Sequence, residues 1–462
     1  MRDEDFREHT QGEFRGDFTR DTFYPLRHFT RVLLQQGRVE LDANWNEQVS
    51  ILLRYLRSLA RDVGSEHWGP TTGAGFEITS AGPKEFKISA GHYYVQGLLC
   101  ENEEKDLSYT ITQVEGPDNH NYCLVYLDVW ERHLTYIEDD LIREVALGGP
   151  DTATRAKIVW QVKVRPLEVN GDNVTDLIKN LKSKYQTFLG EIEAVIKPGS
   201  GKLRARARKQ KDADEPCLTT PEARYRGAEN QLYRVEIHKD GVAWNGRKKD
   251  EGGNQDDAAT FKWSRDNGSV IFPIRQLAGT EVVVEHLGRD ERSSLHQGDW
   301  VEVVDDDQAL RGETGPLAQV IFVDRVEMRV TLSKSPGRTY DQTTVHKHPL
   351  LRRWDQKSDA IPVHEGDREQ SWIDLEDGVQ IQFLAPPAGQ TVEYRVGDYW
   401  LIPARVATGD VEWPGPMDNP TALPPHGVAH YYAPLAMIPV DNVGNVTGTL
   451  TDLRRKLKQL WS

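Results

Sequence analysis

The sequence is poor in sulfur and has no long apolar run. Its three cysteines, Cys100, Cys123 and Cys217, are odd in number and lack metal-ligand spacing. Neither a disulfide framework nor a zinc site is implied. No stretch approaches the ~20 apolar residues of a membrane span. The opening MRDEDFREHTQGEFRGDFTRDTF is charged and lacks the apolar centre of a secretory signal. The expectation is a chain made in the cytoplasm without a signal peptide and without membrane insertion. Basic residues are in the minority, 57 Lys and Arg against 72 Asp and Glu, for a net charge of −15. That balance argues against nonspecific binding to nucleic acid or to an anionic membrane. A G-x-S-x-G elbow, a P-loop and a dinucleotide fingerprint are all missing. The glycine pair in ALGGPDTATRA has no P-loop lysine after it and reads as a turn.

What is present favours strands. The 462 residues include 12 Trp and 16 Tyr, and short runs rich in aromatic and β-branched residues recur between turn residues. Examples are EFKISAGHYYVQGLLCEN, NYCLVYLDVWERHLTYIED, AKIVWQVKVRPLEV and AQVIFVDRVEMRVTLS. Cys123, inside YCLVYLDVW, is expected to be a buried thiol. The fold class this implies is mainly β, multi-module and antiparallel, with an N-terminal arm and two long amphipathic helices. Composition shifts divide the chain into an arm and heptad helix (1–70), a β module (71–170), a helical insertion with a basic arm (171–215), a second β module (216–340), and a C-terminal β module with a short basic tail (341–462).

Both helices carry heptad seams. In the first, Trp45, Val49, Leu52, Leu56, Leu59 and Val63 step alternately by four and three, which places one apolar line on a helix. Asn44 and Glu47 have capping-box spacing, and Gly64 is a stop signal. Arg54, Arg57 and Arg61 fall off the seam. Such a stripe either covers a sheet of its own chain or docks onto another chain. In the second helix Val174, Ile178, Leu181, Tyr185, Phe188, Ile192 and Val195 repeat the same steps up to Pro198 and Gly199. Trp45 to Val63 and Ile178 to Ile192 are therefore the candidate oligomer or partner interfaces.

After the second helix, Lys202, Arg204, Arg206, Arg208, Lys209 and Lys211 reverse the local polarity. They read either as a solvated hairpin or as a docking arm for an acidic neighbour, such as an identical subunit. Nucleic acid is disfavoured because stacking aromatics are absent from the patch. Signals for catalysis are weak. His346 with His348, and His426 with His430, lack the glutamate of a zinc-protease motif. The runs Glu138–Asp140 and Asp305–Asp307 lack alternating calcium-ligand spacing and read as solvated turns. Asp128 with Glu131, and Asp374 with Glu376, could be a glycosidase pair only at a suitable separation. Asp266-Asn267-Gly268 marks a tight turn. No catalytic, cofactor-binding or metal-binding residue is assigned, and no cofactor is expected.

The motifs DFTRDTF, RVLLQQGRVELDANWNEQ, YLDVWER, EVALGGPDTATRAKIVWQVK, GAENQLYRVEIH, ATFKWSRDNGSV, GDWVEVVDDD and GDYWLIPARVATGDVEWP together resemble a bacterial family of uncharacterised proteins, DUF6519, from about residue 16 to 455. Its members are associated with phage-tail-like contractile injection systems and tail-derived particles, and the family brings no catalytic residues. The resemblance implies a non-enzymatic structural or adaptor subunit: a baseplate, fibre-anchor or surface component. Its partners would be itself and other subunits of a particle that can be released from the cell. Tryptophans near turns, Trp263, Trp300, Trp372, Trp400 and Trp413, leave a carbohydrate-binding or carbohydrate-processing role as the alternative, so a glycan is open but not favoured. A filament-forming subunit is a third reading.

Overall fold

The computed structural model describes residues 12–105, 107–111, 121–147, 151–169, 173–196, 199–208, 224–247, 253–416, 418–441 and 444–457. The described residues are 37% strand and 16% helix, so the mainly-β reading stands. Among the described residues only two strand pairs are parallel, Gly12–Glu13 on Tyr122–Leu134 and His67–Pro70 on Lys456–Leu457.

The apolar run YCLVYLDVW becomes the strand Tyr122–Leu134. One edge of it takes Arg155–Leu167 along its whole length. The other takes Tyr431–Pro439 and then, further along, Gly12–Glu13. Its near-continuous apolar character follows from burial on both faces. Cys123, Val125, Leu127 and Val129 pack with Phe76, Phe86 and Tyr93 from the two small sheets of residues 67–110. Leu124 and Tyr126 pack on the opposite side with Leu181, Tyr185, Phe188 and Ile192. Cys100 and Cys123 are both buried free thiols, pushed by burial up to about 12 and about 11.

The first helix, α1, spans Asp42–Gly64. The second heptad pattern does not make one long helix. It is divided at Lys184, which is extended, into α2 (Val174–Ser183) and α3 (Tyr185–Ile196). The break leaves Leu181 and Phe188, on its two sides, both fully buried on the central sheet. The Tyr185 hydroxyl donates to the Tyr432 carbonyl (2.8 Å) and pins the junction. A fourth helix, α4 (Asp306–Arg311), is short.

Two further cores complete the molecule. Six strands from Ile271–Ala278 to Leu350–Trp354 close into a small barrel around Phe272, Val301, Val320 and Leu351. Beside it, a sheet built on Gln231–Lys239 faces the sheet Leu203–Ala207, Val379–Phe383, Ile373–Asp374, with Tyr233, Phe261, Trp263, Ile381 and Trp400 between them. The sheets therefore do not follow the blocks read from composition. Strands from 341–462 are dealt out to three cores: Leu350–Trp354 closes the barrel, Val379–Phe383 and Tyr399–Arg405 enter the sandwich, and Tyr431–Pro439 joins the central sheet. Composition cannot reveal such pairings, because strand partners far apart in sequence have no local signature.

Charged side chains join the sandwich to the barrel. Glu236 is enclosed by Arg234 (2.6 Å), Arg15 (2.9 Å) and Lys262 (3.2 Å). Lys262 also bonds Glu302 of the barrel (2.6 Å), which accepts the Trp354 indole N–H (2.9 Å). Burial by itself would raise the Glu236 carboxyl, but Arg15, Lys262 and Arg234 outweigh it and hold it well below the ordinary value. Glu302 is held down in the same way, chiefly by Lys262 against its burial. A depressed carboxylate contributes stability that is present above its unfolded pKa, near 4.5, and is lost as pH falls through its lower folded value. Glu236→Gln is expected to cost about 3–5 kcal/mol at neutral pH, since it leaves buried cations without their counter-charge. It should also flatten the acid limb of stability against pH, measured by urea unfolding from pH 7 to pH 3. In the apolar core, Phe188→Ala is expected to cost about 3–5 kcal/mol in the same assay.

Candidate functional site

The N-terminal segment and α1 form one unit. After the strand Gly12–Glu13, the chain from Phe14 to Thr22 is tied to the body at several points. Asn267 donates from its side-chain amide to the Phe14 and Gly16 carbonyls (both 3.0 Å), and Arg405 donates to the Thr19 carbonyl (2.8 Å). The turn Asp266-Asn267-Gly268, with Asn267 and Gly268 left-handed, thus clamps the incoming segment. The segment in turn holds the helix. Thr19 donates its backbone N–H to Asp42 (2.8 Å), and Thr22 donates its hydroxyl to Glu47 (2.7 Å).

These contacts change the reading of the helix start. α1 begins at Asp42, two residues before Asn44, and Glu47 is taken by Thr22 rather than by a capping box. Leu41 precedes the helix and no side chain caps its backbone N–H groups; the first turn is held instead through its carboxylates by a distant segment, which local spacing cannot reveal. At the other end Gly64 is the last helical residue and Ser65 turns the chain. The Trp68 indole N–H donates to the Ala60 carbonyl (3.0 Å), and its ring occupies the space where a Cβ on residue 64 would lie.

One face of α1 docks on its own chain. Ala43 and Ile51 are buried, Arg54 donates to the Pro25 carbonyl (2.9 Å), and Arg57 pairs with Glu131 (2.8 Å). The opposite face carries the seam into solvent. Trp45 is 65% exposed, Leu56 and Leu59 are each 62% exposed, and Val49, Leu52 and Val63 are exposed too, against 3% for Ile51. Leu53 and Tyr55 widen the stripe. Just before the helix, Leu26, Phe29, Leu33, Leu34, Val39 and Leu41 are exposed as well, around a turn at Gly37 in which Arg38 donates to the Gln35 carbonyl. Single exposed apolar residues are ordinary, but a contiguous set of this size marks an interaction surface.

The second seam is different. Leu181, Tyr185, Phe188 and Ile192 are buried, and Ile178 packs beside them, in the chain's own core. They are thus occupied within the chain and do not form a partner surface; the side chain of Val195 lies outside the described residues. The basic segment is also corrected. Residues 203–207 form a strand, with Leu203, Ala205 and Ala207 buried. Arg206 lies on the Trp372 ring (4.0 Å) and pairs with Glu369 (2.6 Å), Arg208 reaches the same carboxylate, and Arg204 bonds Asn419. Lys202 sits at the strand's start and also has an interaction of its own. Lys209 and Lys211 lie outside the described residues. The alternation of basic and small apolar residues is the two-residue period of a half-buried strand, not a loose docking arm.

Most of the titratable groups singled out from sequence are engaged with neighbouring side chains. Asp128 bonds Lys163 (2.6 Å) and His430 (2.7 Å), which hold its carboxyl below the ordinary value against its burial. Asp305 caps α4 and accepts from Tyr340 (2.7 Å), Asp307 pairs with Lys347 (2.6 Å), and His348 bonds Asp306 (2.7 Å). Glu376 is pushed by burial up to about 7, with Arg265 at 2.8 Å opposing. A glutamate so raised is suited to proton transfer. Yet neither the polar cavity of about 280 Å³ beside Asp17 and Arg292 nor the more apolar one of about 350 Å³ beside Arg132 and Trp160 is lined by it. Among the described residues no three His, Cys, Asp or Glu side chains gather as a metal set. No helix of the described residues is long and apolar enough to cross a membrane.

A multi-sheet, antiparallel-β body that presents one amphipathic helix defines the class of this protein. More narrowly, the chain belongs to the family of unknown function DUF6519, whose family model matches residues 14–197 and 192–445. No curated protein matches it.

The two faces of α1 separate in a stability measurement. Ile51→Ala is expected to cost about 2–5 kcal/mol in chemical denaturation. Leu59→Ala, at nanomolar protein, is expected to stay within about 0.5 kcal/mol of the parent, as surface substitutions do.

Proposed function

We propose that the chain is a non-enzymatic structural or adaptor subunit of a large oligomeric assembly, held in place by the open face of α1. The observation that carries this reading is the six-residue apolar seam in solvent on a helix whose other face is docked. Covering six such side chains is worth on the order of 10 kcal/mol at about 1.5–3 kcal/mol each. Association itself costs roughly 4–15 kcal/mol. The seam is therefore enough for reversible contact, and the exposed residues from Leu26 to Leu41 supply the remainder of a stable one. The phage-tail-like setting, as a baseplate, fibre-anchor or surface component, draws its support from the motif resemblance and not from the coordinates. In that setting the partners are further copies of the chain and other subunits of the particle.

The sugar-binding alternative has less support. Of its five tryptophans, Trp263 and Trp400 lie in the sandwich core, Trp413 packs against that core, and Trp372 lies beneath the Arg206 guanidinium, which leaves Trp300 as the one ring not so engaged, whereas a glycan platform needs several aligned in solvent.

In extracts of the source cells, the parent chain is expected to sediment as part of a complex much heavier than 52.5 kDa. Leu52→Glu with Leu56→Glu is expected to sediment as a free, folded chain. A double variant that assembles as the parent does would overturn the role given to α1.

A further inference from the structure

We propose that the occupant of the α1 seam is α1 of a second copy, running antiparallel about a twofold axis. The inference rests on the reading of α1 as an assembly helix and adds the identity and direction of the partner. In heptad terms Val49, Leu56 and Val63 are a positions, and Trp45, Leu52 and Leu59 are d positions. The residues that dock the helix on its own body, Ala43, Ile51, Arg54 and Arg57, fall at b, c and f. They lie opposite the seam, so the sheets stand behind the helix; on one flank Gln48, a g position, accepts the Val32 backbone N–H (2.8 Å), while the seam residues themselves stay exposed.

Three features point to a second copy and to this direction. First, the flanking e and g positions are Asn46, Leu53 and Ala60, and Gln48, Tyr55 and Asp62. With one charge among six, they carry no ion-pair code that would select a foreign helix of complementary charge. Second, the seam is complementary to itself when reversed. An antiparallel pair sets Trp45 against Val63, Val49 against Leu59, and Leu52 against Leu56 of the other copy. The largest residue then faces one of the smallest, and the layers have similar volume, as close packing requires. A parallel pair would instead stack Trp45 on Trp45 next to Val49 on Val49, an overfull layer beside an underfilled one. Third, reversal places Asp62 beside Gln48 of the other copy, and it opposes the two helix dipoles. The contact is isologous, so it closes after two chains and does not propagate as a filament.

The test uses single cysteines at layer positions in a Cys217→Ser background, where Cys100 and Cys123 are buried. Val49→Cys and Leu59→Cys proteins are expressed separately and together, oxidised, and run on non-reducing gels. The expected result is a cross-linked dimer in the co-expressed sample and none in either single variant. Light scattering on the uncross-linked parent should give twice the 52.5 kDa chain mass. Cross-linking of Val49→Cys to itself would overturn the antiparallel direction, and a mass of three or more chains would overturn the twofold pair. A one-chain mass without cross-links would exclude a second copy as the occupant. If the parent still sediments in a heavy complex through Leu52 and Leu56, the assembly reading survives that result; if it does not, both fail.

Discussion

Arg15 places its guanidinium 2.9 Å from the buried Glu236 carboxylate, and much of the molecule's outward character depends on that contact. Glu236 belongs to the sandwich, Lys262 bridges it to Glu302 of the barrel, and Arg15 arrives from the N-terminal segment. An ion pair taken out of water gains little over well-packed apolar residues. Its geometric demand is strict, however: each member must sit where the others need it. Here the demand fixes three separately built pieces at one point. The Asn267 and Arg405 bonds to the carbonyls of Phe14, Gly16 and Thr19 extend the same clamp. The segment so fixed then holds Asp42 and Glu47 of α1.

The two seam helices show what a sequence can and cannot reveal. Both have the same steps of four and three, and both are helical. A period of 3.5 residues states that an apolar stripe exists; it is silent on what covers the stripe. The stripe from Val174 to Ile192 meets the face of Tyr122–Leu134 that carries Leu124 and Tyr126, and it is consumed there. The stripe of 45–63 has its back, not its front, on the body. A signal for this was present in Arg54 and Arg57. Off-seam arginines that bond a backbone carbonyl and a buried glutamate mark the docked face, although charges off a seam ordinarily mark the solvent side.

The same limit appears in the strands. Mainly-β character was legible from Trp, Tyr and β-branched runs, and the double-sided burial of Tyr122–Leu134 from its unbroken apolar text. The division into sheets was not legible, since Tyr431–Pro439 pairs with a strand about three hundred residues earlier and no local pattern announces that. In LRARA the basic residues masked a two-residue period that is complete once Leu203, Ala205 and Ala207 are seen as one face. In VVDDDQ the acidic residues masked a helix start, with Asp305 and Gln308 forming a capping box. Charge density drew attention in both places, and periodicity held the answer.

The way α1 is held links folding to assembly. In a folded protein most of a helix's stability comes from packing of its amphipathic face. Only Ala43 and Ile51 of its side chains are buried, which contributes a few kcal/mol at about 0.8 kcal/mol per buried methylene. Its remaining fastenings are hydrogen bonds and one ion pair, at about 0.5–1.5 kcal/mol net for each bond. Several of these, from Thr19, Thr22 and Pro25, bind the helix to the N-terminal segment rather than to a sheet. The helix is thus carried by a segment that is itself carried by the Arg15 and Asn267 contacts. Covering the seam would add apolar burial of the same order as the contacts now holding the helix down. A partner would therefore do more than attach to a finished surface: it would share in stabilising α1 and, through Asp42 and Glu47, the segment that presents it.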